Sequence, residues 1–145
     1  MAAWQDYFWP DSDVLRNKLD LHDAAQLEAA EHAMAQARQV EITLGRVRIE
    51  ETRDADHLRR LHHWLFQDVY SFAGEYRTVE LAKISRFAAV DEIGHCLDRA
   101  ADVIEATEWD RIDDEQFCDR AAAVYGWVNY AHPFGKATAE RRGYS

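Results

Sequence analysis

Apolar residues recur at three- and four-residue spacing along most of the chain, the period of helices that bury one face. From Asp23 to about Val40 the positions are Leu27, Ala30, Met34 and Ala37. Asp54 opens another helix, in which Leu58, Leu61, Leu65 and Val69 keep the same period up to Gly74, a natural stop. Ile93, Leu97, Ala100 and Ile104 mark a further helix, and Phe117, Ala121, Val124 and Val128 mark one running to about Tyr130. Near the start, Asp11 or Ser12 is placed to cap a short helix carrying Val14, Leu15 and Leu19. The exception is Arg77-Thr78-Val79-Glu80-Leu81, an alternating, β-branched run that predicts a strand. A lone strand needs a partner, and residues near Arg86 to Ala89 are the nearest, so the expectation is an all-α fold with one small β-hairpin.

Length and charge narrow the function. A chain of 145 residues, 48% hydrophobic, can bury one core and is expected to form a single domain. A formal net charge of −10 argues against a binder of the nucleic-acid backbone, whose affinity comes from clustered Lys and Arg. The same acidity fits solubility or a basic partner protein. Cys96 and Cys118 are far apart in sequence and suggest neither a disulfide framework nor a zinc site, which fits a reducing cytoplasm. The N-terminus has no basic region followed by an apolar run, and no stretch reaches the length of a membrane span, so a soluble, unprocessed protein is expected.

Of the seven histidines, His62 and His63 are adjacent on a helix, diverge by about 100° and are expected to be structural. His22, His32, His57 and His95 have no partner at ligand spacing. His132 differs: it follows a helix end and precedes Pro133, which places it on a rigid loop suited to a reacting side chain.

The residues around it decide the matter. Leu58 to Val79, with Leu61-His62, Asp68-Val69-Tyr70, Phe72-Ala73-Gly74 and Arg77-Thr78-Val79, resembles the helix-to-flap segment of Fic proteins. Asn129-Tyr130-Ala131-His132-Pro133-Phe134 resembles the start of their active-site motif, His-Pro-Phe-x-(Asp/Glu)-Gly-Asn-Gly-Arg-x-x-Arg. The resemblance covers about Tyr7 to Phe134 and implies the mainly helical Fic fold, with a protein adenylyltransferase activity that moves AMP from ATP to a hydroxyl of a target protein. It assigns His132 as the general base, supported by Pro133 and Phe134, and Thr78, Val79, Glu80 and Leu81 as the flap on which a target segment docks by strand addition.

The rest of the motif is absent. The resemblance implies ATP and Mg²⁺ for an intact member, with an acidic residue holding the metal, a Gly-Asn-Gly turn cradling phosphates and arginines neutralising them. Here the acidic position is Lys136, the turn is Ala137-Thr138-Ala139, and the arginine positions are Glu140 and Gly143. No metal ligand is assigned, because a lysine cannot bind Mg²⁺. The replacement obeys codon rules. A Glu codon followed by Gly, read one nucleotide late, must give Lys or Arg, and an Asn codon followed by Gly must give Thr or Met; the chain has Lys136 and Thr138. This reads as a one-nucleotide frameshift that leaves residues 1–134 as a truncated Fic domain and 135–145 as an out-of-frame tail. The helix that follows the motif in the family would then be missing, with activity lost and stability low.

Three functional readings follow: an adenylyltransferase by descent, inactive in this translation; a binding-only remnant engaging an antitoxin or target; and a transferase with another phosphate donor, which fits poorly because Lys136 stands at the acidic position itself. No inhibitory Ser/Thr-x-x-x-Glu-Gly/Asn pattern precedes the motif, and Tyr7-Phe8-Trp9-Pro10 with Val14 to Leu19 resembles the class held by a separate small antitoxin protein. That class implies a toxin of a bacterial toxin–antitoxin pair with type II topoisomerase subunits as targets.

Overall fold

A computed structural model of the chain describes residues 4–79 and 87–134. Four α-helices carry the fold: α1 (Ala24–Thr43), α2 (Ala55–Phe66), α3 (Ile93–Ala106) and α4 (Asp114–Ala131). Short 3-10 turns at Trp4–Tyr7 and Val90–Glu92 precede them in the two halves. None of these helices is long and apolar enough to cross a membrane among the described residues.

The helix expected around Val14 to Leu19 does not form. Phe8 and Leu15 instead make an isolated antiparallel bridge, with Trp9 N donating to Val14 O at 2.9 Å and Arg16 N to Tyr7 O at 2.8 Å. Asn17 is the physical reason on the far side. Its Oδ1 accepts from the backbone of Leu19 and Leu21, and its Nδ2 donates to Leu15 O and Leu21 O. A side chain that bonds nearby backbone offers an alternative to the helical ladder. Val14 and Leu15 are buried nonetheless, in a cluster with Phe8, Leu27, Val69 and Tyr70.

Side-chain caps fix the starts of α1, α2 and α4, the one at Asp54 where the sequence places a helix start. The Asp23 carboxylate accepts from Gln26 N at 2.9 Å, the Asp54 carboxylate from His57 N at 3.1 Å, and Asp113 forms a reciprocal box with Gln116. Two expectations within the helices need correction. In α1 only Leu27 is buried, whereas Met34 and Ala37 are exposed. The helix is held to α2 by polar contacts instead: Arg38 Nε and Nη2 grip the Asp68 carboxylate at 2.7 and 2.8 Å, and the guanidinium lies 5.0 Å from the Trp64 ring centroid. Helix α2 ends at Phe66, not at Gly74, and Val69 becomes fully buried in the turn that follows. Gly74 still has a backbone role, at φ 84°; a Cβ there would lie 2.7 Å from His63 Cβ and 2.9 Å from Arg59 O.

The described parts of the expected hairpin, Arg77 to Val79 and Phe87 to Ala89, form no strand, and Glu80 and Leu81 lie outside the described residues. Residues 135–145, including Lys136 to Glu140, lie outside them as well.

Helices α3 and α4 pack most closely, around a second cluster of Ala88, Ile93, Cys96, Leu97 and Ala131. Between this pair and α2 runs an apolar groove of about 200 Å³, with Leu58 and Leu61 on one wall and Leu97, Ile104, Val124 and Val128 on the other. These are the positions whose period announced a buried face, yet Leu58, Leu61 and Val128 are only half-buried. Uncovered apolar surface forgoes about 25 cal/mol per Å², a large share of a margin of ~5–15 kcal/mol. We expect the 145-residue chain to melt below about 50 °C, followed by circular dichroism; a cooperative transition well above that would show that the groove costs little.

Candidate active site

Helix α4 delivers His132 as its C-terminal cap, in the left-handed region at φ 40° and ψ 63°. A residue with a Cβ adopts that conformation at a cost of ~1 kcal/mol, so the surroundings must hold it. His132 N donates to Val128 O at 3.1 Å, which closes the last helical turn. Its imidazole is half-buried and tilts against the Phe87 ring, with 4.5 Å between centroids.

The group that fixes this loop is Arg77, 1% exposed. Its Nε donates to His132 O at 2.7 Å, Nη1 to Val79 O at 2.9 Å, and Nη2 to Ala131 O at 3.2 Å and to Ala88 O. Its backbone N donates to Pro133 O at 2.7 Å, and Ala88 N donates to Tyr130 O at 2.7 Å. The last carbonyls of a helix lack partners within it and form the negative end of its dipole. A guanidinium has donors on three nitrogens in a fixed fork, so one side chain joins the end of α4 to both sides of the segment 80–86. The sequence reading placed Arg77 in a strand and missed this. A charged residue in an alternating apolar run just before the flap was the available signal.

Pro133 is buried and Phe134 half-buried. Phe134 stacks on His62 at 3.8 Å between centroids, 15° from parallel. His62 and His63 serve the backbone in opposite senses. His62 Nδ1 accepts from Gly74 N at 2.8 Å, while His63 Nδ1 donates to Ala73 O at 3.0 Å. Burial, with a smaller contribution from neighbouring His63, pushes the His62 pKa down to about 4, so its ring is neutral and free to accept.

Thr78 and Val79 sit at the start of the flap. Thr78 N donates to Tyr7 Oη at 3.0 Å, and the two hydroxyls are 3.0 Å apart, so the N-terminal turn steadies this segment. The structure therefore gathers His132, Pro133, Phe134, Thr78 and Val79 around Arg77, whereas the positions that would meet a nucleotide's phosphates fall in 135–145, outside the described residues. Their chemistry does not fit magnesium–ATP: Lys136 carries a positive charge where the metal needs an anionic oxygen, and Glu140 carries a negative one where phosphates need a cation.

Two outcomes follow. Arg77→Met leaves carbonyls of Val79, Ala88, Ala131 and His132 without this donor, and urea denaturation should show a loss of about 3 kcal/mol or more; a loss under about 1 kcal/mol would mean that the clamp is dispensable. For His62, the folded pKa of about 4 lies below the ordinary 6.5, so the unfolded chain binds the extra proton between those values. Stability from the neutral ring is full above about pH 6.5 and declines as pH falls toward about 4. Melting temperature should fall more steeply across that window in the parent than in His62→Gln, and parallel curves would remove His62 as the cause.

Comparison with known proteins agrees with the geometry. The sequence profile described as Fic/DOC family matches residues 52–138. The chain is 35% identical over 130 residues to the protein adenylyltransferase VbhT of Bartonella schoenbuchensis, covering 88% of this chain but only 27% of that protein. It is 30% identical over 141 residues to the probable protein adenylyltransferase Fic of Escherichia coli K12, covering 93% of this chain and 68% of the relative. A crystal structure of the N-terminal Fic domain of a Bartonella quintana effector with bound ADP superposes with a TM-score of 0.76 at 22% identity, over 93% of this chain and 70% of that one. That likeness concerns the fold. On the profile, the two curated relatives and the Arg77-clamped His132 loop, the chain belongs to the Fic/DOC family.

Proposed function

We propose that this chain is a protein adenylyltransferase by descent that has kept the base and lost the phosphate-binding half of the site, so that it does not transfer AMP. The observation that carries the reading is the split at Phe134. Before it, His132 is held by Arg77 on a strained, well-bonded loop, the placement a general base needs. After it come Lys136, Ala137, Thr138, Ala139 and Glu140, which offer neither a metal ligand nor the glycine backbone that a close phosphate approach requires. The codon pattern supports a one-nucleotide shift ahead of Gly135 as the origin, with 1–134 the family domain and 135–145 the tail.

The intact relative of this chain would use ATP and Mg²⁺ and modify a hydroxyl on a target protein in the cytoplasm. Its resemblance to the antitoxin-held class supports a small antitoxin protein as regulator and a type II topoisomerase subunit as target. A binding-only role for the present chain is supported by Thr78 and Val79, which are held at the flap's base by Tyr7 and Arg77.

The test is AMP transfer from labelled ATP with Mg²⁺ to the chain itself and to a type II topoisomerase subunit. The 145-residue chain should give no label above its His132→Ala control. A chain with one nucleotide restored ahead of the Gly135 codon should label, and His132→Ala should reduce that by about a hundredfold or more. Transfer by the 145-residue chain above its control would overturn the proposal.

A further inference from the structure

Beside His132 lies a cavity of about 280 Å³ whose wall is aromatic, from His62, Phe66, Tyr70 and Phe134, with Glu31 of α1 supplying its carboxylate. The rings form a connected set. His62 stands 4.7 Å from Phe66 and 3.8 Å from Phe134, and Phe66 stands 6.4 Å from Tyr70. Tyr70 Oη donates to Glu31 Oε2 at 2.6 Å, which holds the carboxylate against the rings; burial first, and then the Glu31 carboxylate, drive the phenol's pKa up, so it remains a donor.

We propose that this cavity receives an arginine side chain presented by a partner protein. Three features select that chemistry. A carboxylate on the wall repels phosphates and carboxylates and leaves an apolar guest facing a charge, which costs free energy unless it is paired. Aromatic faces attract a cation, and a planar guanidinium can stack on a ring while its N–H groups bond the carboxylate, which an ammonium cannot do as well. The neutral His62 ring adds no opposing charge at neutral pH. The chain's net charge of −10 also favours a basic partner at longer range. Since His132 lines the same cavity, the arginine would stand next to the His132 loop and set which segment of a partner is engaged. Binding of this kind needs no transfer chemistry and holds whether or not AMP is moved.

Titration of the 145-residue chain by calorimetry or NMR at physiological salt, with N-acetyl-arginine amide, its neutral citrulline analogue and the norleucine amide, decides the matter. Arginine should bind at least tenfold more tightly than either, and Glu31→Gln, whose amide oxygen still accepts from Tyr70, should lose that preference. Removing one of 27 acidic residues changes the overall field little, so such a loss would locate the effect at Glu31. Equal binding of the three compounds, no binding of the arginine amide at millimolar concentration, or an arginine preference unchanged in Glu31→Gln would overturn the proposal. If the variant does not fold, the arginine-to-citrulline ratio on the parent chain alone gives the answer.

Discussion

A single buried guanidinium ties the two halves of this fold together at the place where chemistry would occur. Arg77 comes from the connection after α2, yet its bonds run to the end of α4 and to both sides of the flap segment. The end of a helix is electrostatically negative and short of donors, so the cation and the helix terminus satisfy each other. Lysine would not serve, because one ammonium cannot reach acceptors spread over such a fork. The strained backbone of His132 is affordable only inside this arrangement, in which the residue's amide closes the helix and its carbonyl is held by Arg77.

Around that clamp the packing is uneven. The N-terminal cluster from Phe8 to Tyr70 and the cluster from Ala88 to Ala131 are each well buried, but the surfaces that face one another between them are not. The groove between α2 and the α3–α4 pair is lined by aliphatic side chains, and the cavity beside His132 by aromatic ones with a carboxylate. The two openings differ in what they could hold. An aliphatic groove gains by excluding water and has little preference among apolar occupants, whereas the cavity at Glu31 discriminates by charge and planarity.

The helical frame was legible because the apolar period marks α2, α3 and α4, with capping aspartates at the starts of α2 and α4. Where they disagree with the structure, the cause is local. Asn17 makes four bonds to the backbone of Leu15, Leu19 and Leu21 and displaces the helix that Val14, Leu15 and Leu19 suggested. In α1, alanines and one methionine supplied the period but little apolar area, so only Leu27 enters the core and the Arg38–Asp68 pair adds a polar tie to the turn after α2. At the candidate site, the motif singled out His132, Pro133 and Phe134, and the structure places them together at the end of α4. Arg77 was marked only as a charge in an alternating apolar run and Glu31 not at all, because their partners, the carbonyls of Val79, Ala88, Ala131 and His132 and the phenol of Tyr70, leave no motif of their own.

The separation between scaffold and chemistry follows from where the motif divides. Among the described residues, what positions His132 comes before Gly135: the turn of α4, the Arg77 fork, the stacking of Phe134 on His62. Everything that would handle phosphate comes after it. A base held in place contributes to transfer only when a donor group is held in line beside it, since its share of catalysis depends on position relative to the reacting atoms. Lys136 and Glu140 each carry a charge opposite to the one a magnesium–phosphate group would need at its position, whereas the part of the site before Gly135 keeps its fold-level bonds. A substitution confined to residues after Phe134 leaves the Arg77 bonds and the aromatic cavity beside His132 as they are, so the chemistry of phosphate handling and the packing of the scaffold are separable in this chain.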